Sequence, residues 1–243
     1  MMRLLKYDWK RNSTTVLGTL AVLIIIQTAI MVTGMIRGWD PIVMLVSSLM
    51  GYSSIGVLLI VLVVRTFDYN IRSYQRRLLP LRSVWTILSP LFMGVLGMIA
   101  LAILVLTHLW LHFYFLGFQQ LGVELGLLFQ DANFLLGIWR LIWGFSYIIL
   151  SIFFATAVAR TIPRKSGVWV GILVFVLLHN MIDWVGRGLL GQGYWTESEI
   201  TETGLSITMG PLGQSMGKTI YEMVVAALLL FATAYLIDRK VEA

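Results

Sequence analysis

Cysteine is absent from the 243-residue chain, which excludes disulfides, thiolate metal centres and cysteine nucleophiles. Charge is scarce too. Only 12% of the residues are charged while 58% are hydrophobic, where a soluble domain carries about 25% charged and roughly 45–50% apolar residues. Too few polar side chains remain to cover a globule. The three histidines are too few for a multi-histidine di-iron enzyme. An HExxH sequence is missing, which removes the metallohydrolases that use it, and no Ser/His/Asp order has a nucleophile elbow to support it.

What the chain has is long apolar sequence, with a mean hydropathy of +0.86. A membrane-crossing helix needs about 20 apolar residues. Six runs meet that length: residues 14–36, 42–64, 87–110, 134–157, 167–189 and 218–237. The expected fold is an all-α integral membrane protein with a single transmembrane domain over 1–243. Six spans leave no room for an independent soluble domain. The first run is not a cleavable signal peptide, because its apolar stretch is about twice the usual length and no small-residue cleavage site follows.

The cations sort by connection. Arg3, Lys6, Lys10 and Arg11 precede span 1; Arg65, Arg72, Arg76, Arg77 and Arg82 lie between spans 2 and 3; Arg160, Arg164 and Lys165 separate spans 4 and 5; Arg239 and Lys240 follow span 6. This puts 14 of the 18 Lys+Arg on one side, while eight of the 12 acids lie on the other. The positive-inside rule then places both termini in the cytoplasm. The pI near 9.7 is mostly a topology signal, and nucleic acid is not an expected partner.

Residues 1–12, MMRLLKYDWKRN, are amphipathic at about 100° per residue. Met1, Met2, Leu5 and Trp9 gather on one face, and Arg3, Lys6 and Lys10 lie opposite. The pattern fits a helix in the inner interface, with Trp9 at headgroup depth and lysines toward anionic lipid. A plain positive flank that orients span 1 accounts for the charge alone. Residues 65–86 form the longest cytoplasmic connection, without glycine. In YNIRSYQRRLLP, Ile71, Tyr74 and Leu78 recur at i, i+3, i+7, while Arg72 and Arg76 share another face. Pro80 stops the helix. A cytosolic helix with an apolar ridge and an arginine face needs a partner surface; resting on lipid headgroups is the plainer alternative.

On these residues the chain resembles the permease subunit of an ABC type-2 exporter. The features that carry the likeness are the basic N-terminal segment, six spans with both ends inside, and the 2–3 connection SYQRRLLPLRSVWTIL. The resemblance implies that 1–12 is an interfacial connecting helix. It implies a coupling helix in 65–86, followed by a Leu-Pro segment, that seats in a separate cytoplasmic ATPase. Ser73 to Ser83 with Leu79 and Pro80 matches that pattern, and RTIPRKS at 160–166 stands where a second coupling element would be. The implied ATPase contacts are Ile71, Arg72, Tyr74, Arg76, Arg77, Leu78, Leu79, Pro80, Arg164 and Lys165. One departure is that Ser89-Pro90 stands where the family often has a lysine. The long helical hairpin that precedes span 6 in the polysaccharide and sterol exporters is also missing, which disfavours those cargoes.

A run near span 6, Gly213-Gln-Ser-Met-Gly217-Lys218-Thr219, is not a Walker A loop. Three residues separate its glycines where four are needed to encircle phosphates, and it precedes a span on the outer side. No cofactor is expected in this chain; ATP and magnesium belong to the partner ATPase.

All the histidines lie in spans or at their outer edge. His108 and His112 are i, i+4 in span 3; His179, Asp183 and Arg187 form an i, i+4 stripe in span 5. Ionisable residues in a membrane are functional candidates by default. One arrangement brings His108, His112, His179 and Asp183 together as a three-His, one-carboxylate metal site. A plainer one is a His179–Asp183–Arg187 ladder paired along one helix face. A third lets these groups line an outward vestibule. The Trp residues at 110, 139, 143, 184 and 195 suit an outer aromatic belt, and Gly167 and Gly171 make a small-xxx-small pair. In the extracytoplasmic loop 190–217, alternation around Gly204 suits a small hairpin.

The expected function is therefore export of a hydrophobic or amphiphilic compound (antimicrobial peptide, drug or lipid) by a multi-pass permease of the cell membrane, of bacterial plasma-membrane type. Two ATPase copies and a second permease chain, homo- or heterodimeric, complete the assembly within membrane lipid. The alternative is an intramembrane metal-binding enzyme or sensor built on the histidine cluster.

Overall fold

The computed structural model describes residues 2–72, 83–115, 132–162, 167–191, 198–201, 204–207 and 212–240. Among them are six long helices: α1 (Met2–Arg37), α2 (Pro41–Arg72), α3 (Ser83–Phe115), α4 (Ala132–Arg160), α5 (Gly167–Leu190) and α6 (Leu212–Lys240). Each contains a stretch long and apolar enough to cross a bilayer. The chain is a multi-pass membrane protein, and each of the six apolar runs falls on its own helix. Among the described residues the strands are those of a hairpin in the 190–217 loop, where β1 (Ser198–Thr201) pairs antiparallel with β2 (Gly204–Ile207). Ser198 faces Ile207 and Thr201 faces Gly204 in register, in keeping with the alternation read from the sequence.

The helices overrun their apolar runs. With 36 residues and a rise of about 1.5 Å each, α1 is about 54 Å long, against a hydrocarbon core of about 30 Å. Residues 2–12 continue into the span without a break, because no glycine or proline stands between Met2 and Val16 to end the helix. The same holds for Arg65–Arg72, which extend α2 past its apolar run. Amphipathicity marks a change of environment along a helix, and only a breaker ends the helix itself.

Between α1 and α2 the chain reverses in three residues. Gly38 takes the left-handed conformation (φ 62°) that closes a helix C-terminus, and the Trp39 amide donates to the Gly34 carbonyl at 2.9 Å. Asp40 then caps α2, its Oδ1 accepting from the Ile42 amide at 2.8 Å, and Pro41 takes the first helical position.

The chain divides into two units, Met1–Ile149 and Leu150–Ala243. In the first, α1, α2 and α3 pack around Leu23, Tyr52, Ile55, Leu59 and Leu101. Gly94 sets the approach of α3 to α2, since a Cβ there would lie 2.7 Å from Val63 Cγ2. In the second, the small pair works as its spacing implies. A Cβ on Gly167 would lie 3.3 Å from the Ala159 carbonyl oxygen, and one on Gly171 3.4 Å from Ala159 Cβ, so α5 lies close on the end of α4. Tyr221 of α6 donates to the Ile182 carbonyl of α5 at 2.8 Å. Large apolar side chains are exposed on every helix, among them Ile25, Met50, Ile103, Trp139, Trp184 and Phe231, as suits surfaces that meet lipid.

Candidate functional site

One end of the first unit is basic, carrying Lys6, Lys10 and Arg11 on α1 with Arg65 and Arg72 on α2. At that end sits a buried polar cluster fed by three helices. Helical spacing puts Asp8 and Asn12 on one face of α1, and Thr66 and Asn70 on one face of α2; Ser89 and Met93 do the same on α3. Asp8 is fully buried (0% exposed). Its Oδ2 accepts from Asn70 Nδ2 at 3.0 Å and from Ser89 Oγ at 2.6 Å, the second having the length of a hydroxyl-to-carboxylate bond.

One turn deeper, Asn12 Nδ2 donates to the Asp8 carbonyl at 2.9 Å and to Thr66 Oγ1 at 3.1 Å, and lies 3.6 Å from Met93 Sδ. A carboxylate leaves water only where donors replace its hydration, and here donors from two other helices do so. Around this cluster, Arg11 stacks on the Tyr69 ring at 4.0 Å and Arg72 pairs with Asp68 at 3.0 Å.

A second line of polar groups crosses the unit toward its far end. Gln27 Nε2 donates to the Ser48 carbonyl at 3.0 Å, over Gly51, where a Cβ would lie 2.6 Å from that nitrogen. The Tyr52 hydroxyl is hydrogen-bonded to His108 Nδ1, and the His108 and His112 rings lie 6.1 Å apart, centre to centre. Gln27 Oε1, Ser48 Oγ and His108 Nε2 are buried without a hydrogen-bond partner among the described residues. Tyr52→Phe leaves His108 Nδ1 without this partner, so it should cost about 1 kcal/mol, the scale of hydrogen bonds between membrane helices. Unfolding in mild detergent checks this, and unchanged stability would mean the bond contributes nothing.

The expected site residues distribute as follows. Tyr74, Arg76, Arg77, Leu78, Leu79, Pro80, Arg164 and Lys165, with Met1, lie outside the described residues. Ile71 is buried at 4% exposure, so the apolar ridge it begins starts inside the chain's own packing. Arg72 is exposed and engaged by Asp68. In the N-terminal segment, Leu5 is half-buried and Trp9 is exposed, and among the described side chains the one turned fully inward is the acid Asp8. His108 and His112 belong to the first unit, while His179, Asp183 and Arg187 belong to the second. There the His179 ring lies 5.1 Å from that of Phe175, Asp183 is half-buried and Arg187 exposed. Among the described residues no group of three or more His, Asp or Glu side chains could hold a metal ion.

Nothing in the chemistry of Asp8, Asn12, Thr66, Asn70 and Ser89 marks them out in the sequence. The available signal was a pair of polar residues at i, i+4 in each of α1 and α2, next to apolar spans. The chain matches no family model, no curated protein and no solved structure in comparison with known proteins.

Proposed function

We propose that the protein is the membrane-spanning subunit of an ATP-driven exporter of the ABC type-2 kind. It exports a hydrophobic or amphiphilic compound, and a separate cytoplasmic ATPase supplies the energy. The observation that carries the reading is the placing of charge on a six-helix membrane protein. Fourteen of 18 cations lie on one side, and five of those flank or fill the connection between α2 and α3. That side is the cytoplasm on this reading. Tyr74, Leu78 and the Leu79-Pro80 step form a surface for a protein partner, and Arg164 and Lys165 form a second one. The long extension of α2 to Arg72 lets the first surface stand clear of the hydrocarbon. ATP and magnesium bind the partner, two copies of which serve a pair of permease chains. A cargo that is itself apolar enters from lipid, which suits helices with exposed apolar faces better than a fixed charged site would.

The natural absence of cysteine gives a direct test. Gln75→Cys, the sole thiol in the chain, should react with an impermeant maleimide only after the membrane is opened. It should react more slowly while the ATPase is bound, and recover when the ATPase is stripped off. Labelling from outside intact cells would overturn the orientation, and labelling indifferent to peripheral proteins would overturn the docking surface.

A further inference from the structure

Asn70 is two residues from the end of α2, and Ser89 lies in the second turn of α3. Residues 73–82 leave and rejoin the described chain at these two ends. Both ends are tied to one oxygen atom, Oδ2 of Asp8, at 3.0 and 2.6 Å. Asp8 itself is held by α1, whose next turn is bonded through Asn12 to Thr66 of α2. We propose that Asp8 is the positioning residue of the basic end: it fixes the spacing of the two helix ends that carry residues 73–82 and fastens both to α1.

The argument is one of geometry and alternatives. A buried carboxylate is costly wherever its donors are missing, and at 0% exposure Asp8 has no water at hand to replace them. The α2 and α3 ends therefore keep the positions that bring Asn70 and Ser89 onto Asp8. Apolar contacts midway along the unit, such as those around Leu59 and Leu101, are non-directional; a shared hydrogen-bond acceptor is directional and sets the two ends at fixed distances. The short Ser89 hydroxyl reaches Oδ2 directly. Taken with the proposed function, on which this last step rests, a push delivered to residues 73–82 by the ATPase moves α1, α2 and α3 as one body.

Two nitroxides on Arg72→Cys and Ser83→Cys report the spacing of the helix ends. A pair on Met50→Cys and Trp110→Cys, both exposed on the same two helices, reports the far end. In detergent, without any partner, Asp8→Ala and Ser89→Ala should broaden the 72–83 distance distribution and leave the 50–110 distribution unchanged. Ser89→Thr, which keeps the hydroxyl, should retain the parent width. An unaltered 72–83 distribution in both alanine variants overturns the proposal. Equal broadening at both ends also overturns it, since that marks a general loss of stability. Ser89→Ala removes only a hydroxyl, so it keeps the test open should Asp8→Ala fail to fold. With an ATPase co-purified on the Cys-free chain, Ser89→Ala should retain binding and lose the permease-dependent part of hydrolysis, whereas Ser89→Thr should keep it. If the widths respond while no ATPase is recovered from native membranes, Asp8 stands as the positioning residue and the exporter reading fails.

Discussion

Leu78→Asp should abolish recovery of the partner ATPase while leaving the protein in the membrane. Leu78 lies outside the described residues, and its weight comes from its place in Ile71, Tyr74, Leu78. The first of these is buried within the chain, and on the proposed reading Tyr74 and Leu78 are the members of that ridge that meet the ATPase. An anchor at the centre of such an interface contributes at least about 2 kcal/mol, and a carboxylate in its place adds an uncompensated desolvated charge. Affinity should fall by about 30-fold or more. Insertion is set by the six apolar helices and the flanking cations, which the substitution does not touch. Co-purification of parent and variant from native membranes measures the effect. Undiminished recovery of the ATPase would place the docking surface elsewhere.

Asp8→Ala should destabilise the first unit by about 3 kcal/mol. It strips the acceptor from Asn70 and Ser89, and each buried donor left unsatisfied costs about 1–3 kcal/mol. A serine hydroxyl can rotate toward another acceptor, so most of the loss falls on the fixed Asn70 amide. Ser89→Ala alone should cost about 1 kcal/mol. The two changes should not add: once Asp8 is gone Ser89 has no carboxylate to meet, and the double variant should resemble Asp8→Ala alone. Unfolding of the four proteins in mild detergent completes the cycle. Additive losses would show that Asp8 and Ser89 contribute separately.

The spans were legible because the bilayer imposes a requirement on each of them in isolation: enough consecutive apolar residues to cross. Where the helices end was not. The run RTFDYNIR looks like the start of a loop by polarity, yet nothing in it breaks a helix, and α2 runs on to Arg72. The Gly167 and Gly171 pair could be read ahead because small residues at that spacing have one common use in membranes. The Asp8 cluster could not. In MMRLLKYDWKRN the acid is one charge among several, and the apolar spacing draws attention to Leu5 and Trp9. The inward turn of Asp8 is decided by donors far along the chain, at Asn70 and Ser89. Nothing in the periodicity of one helix discloses that Ser89 meets Asp8, 81 residues away.

The central claim is that this chain is the membrane half of a machine driven by another protein. A mild-detergent pull-down of the tagged chain from its native membrane, with every co-purifying protein identified and quantified, addresses it most directly. An ABC-type ATPase at near-equal stoichiometry is the expected result. Recovery of the chain with no ATPase, and with a metal bound near one per chain, would contradict the exporter reading and return attention to His108, His112, His179 and Asp183.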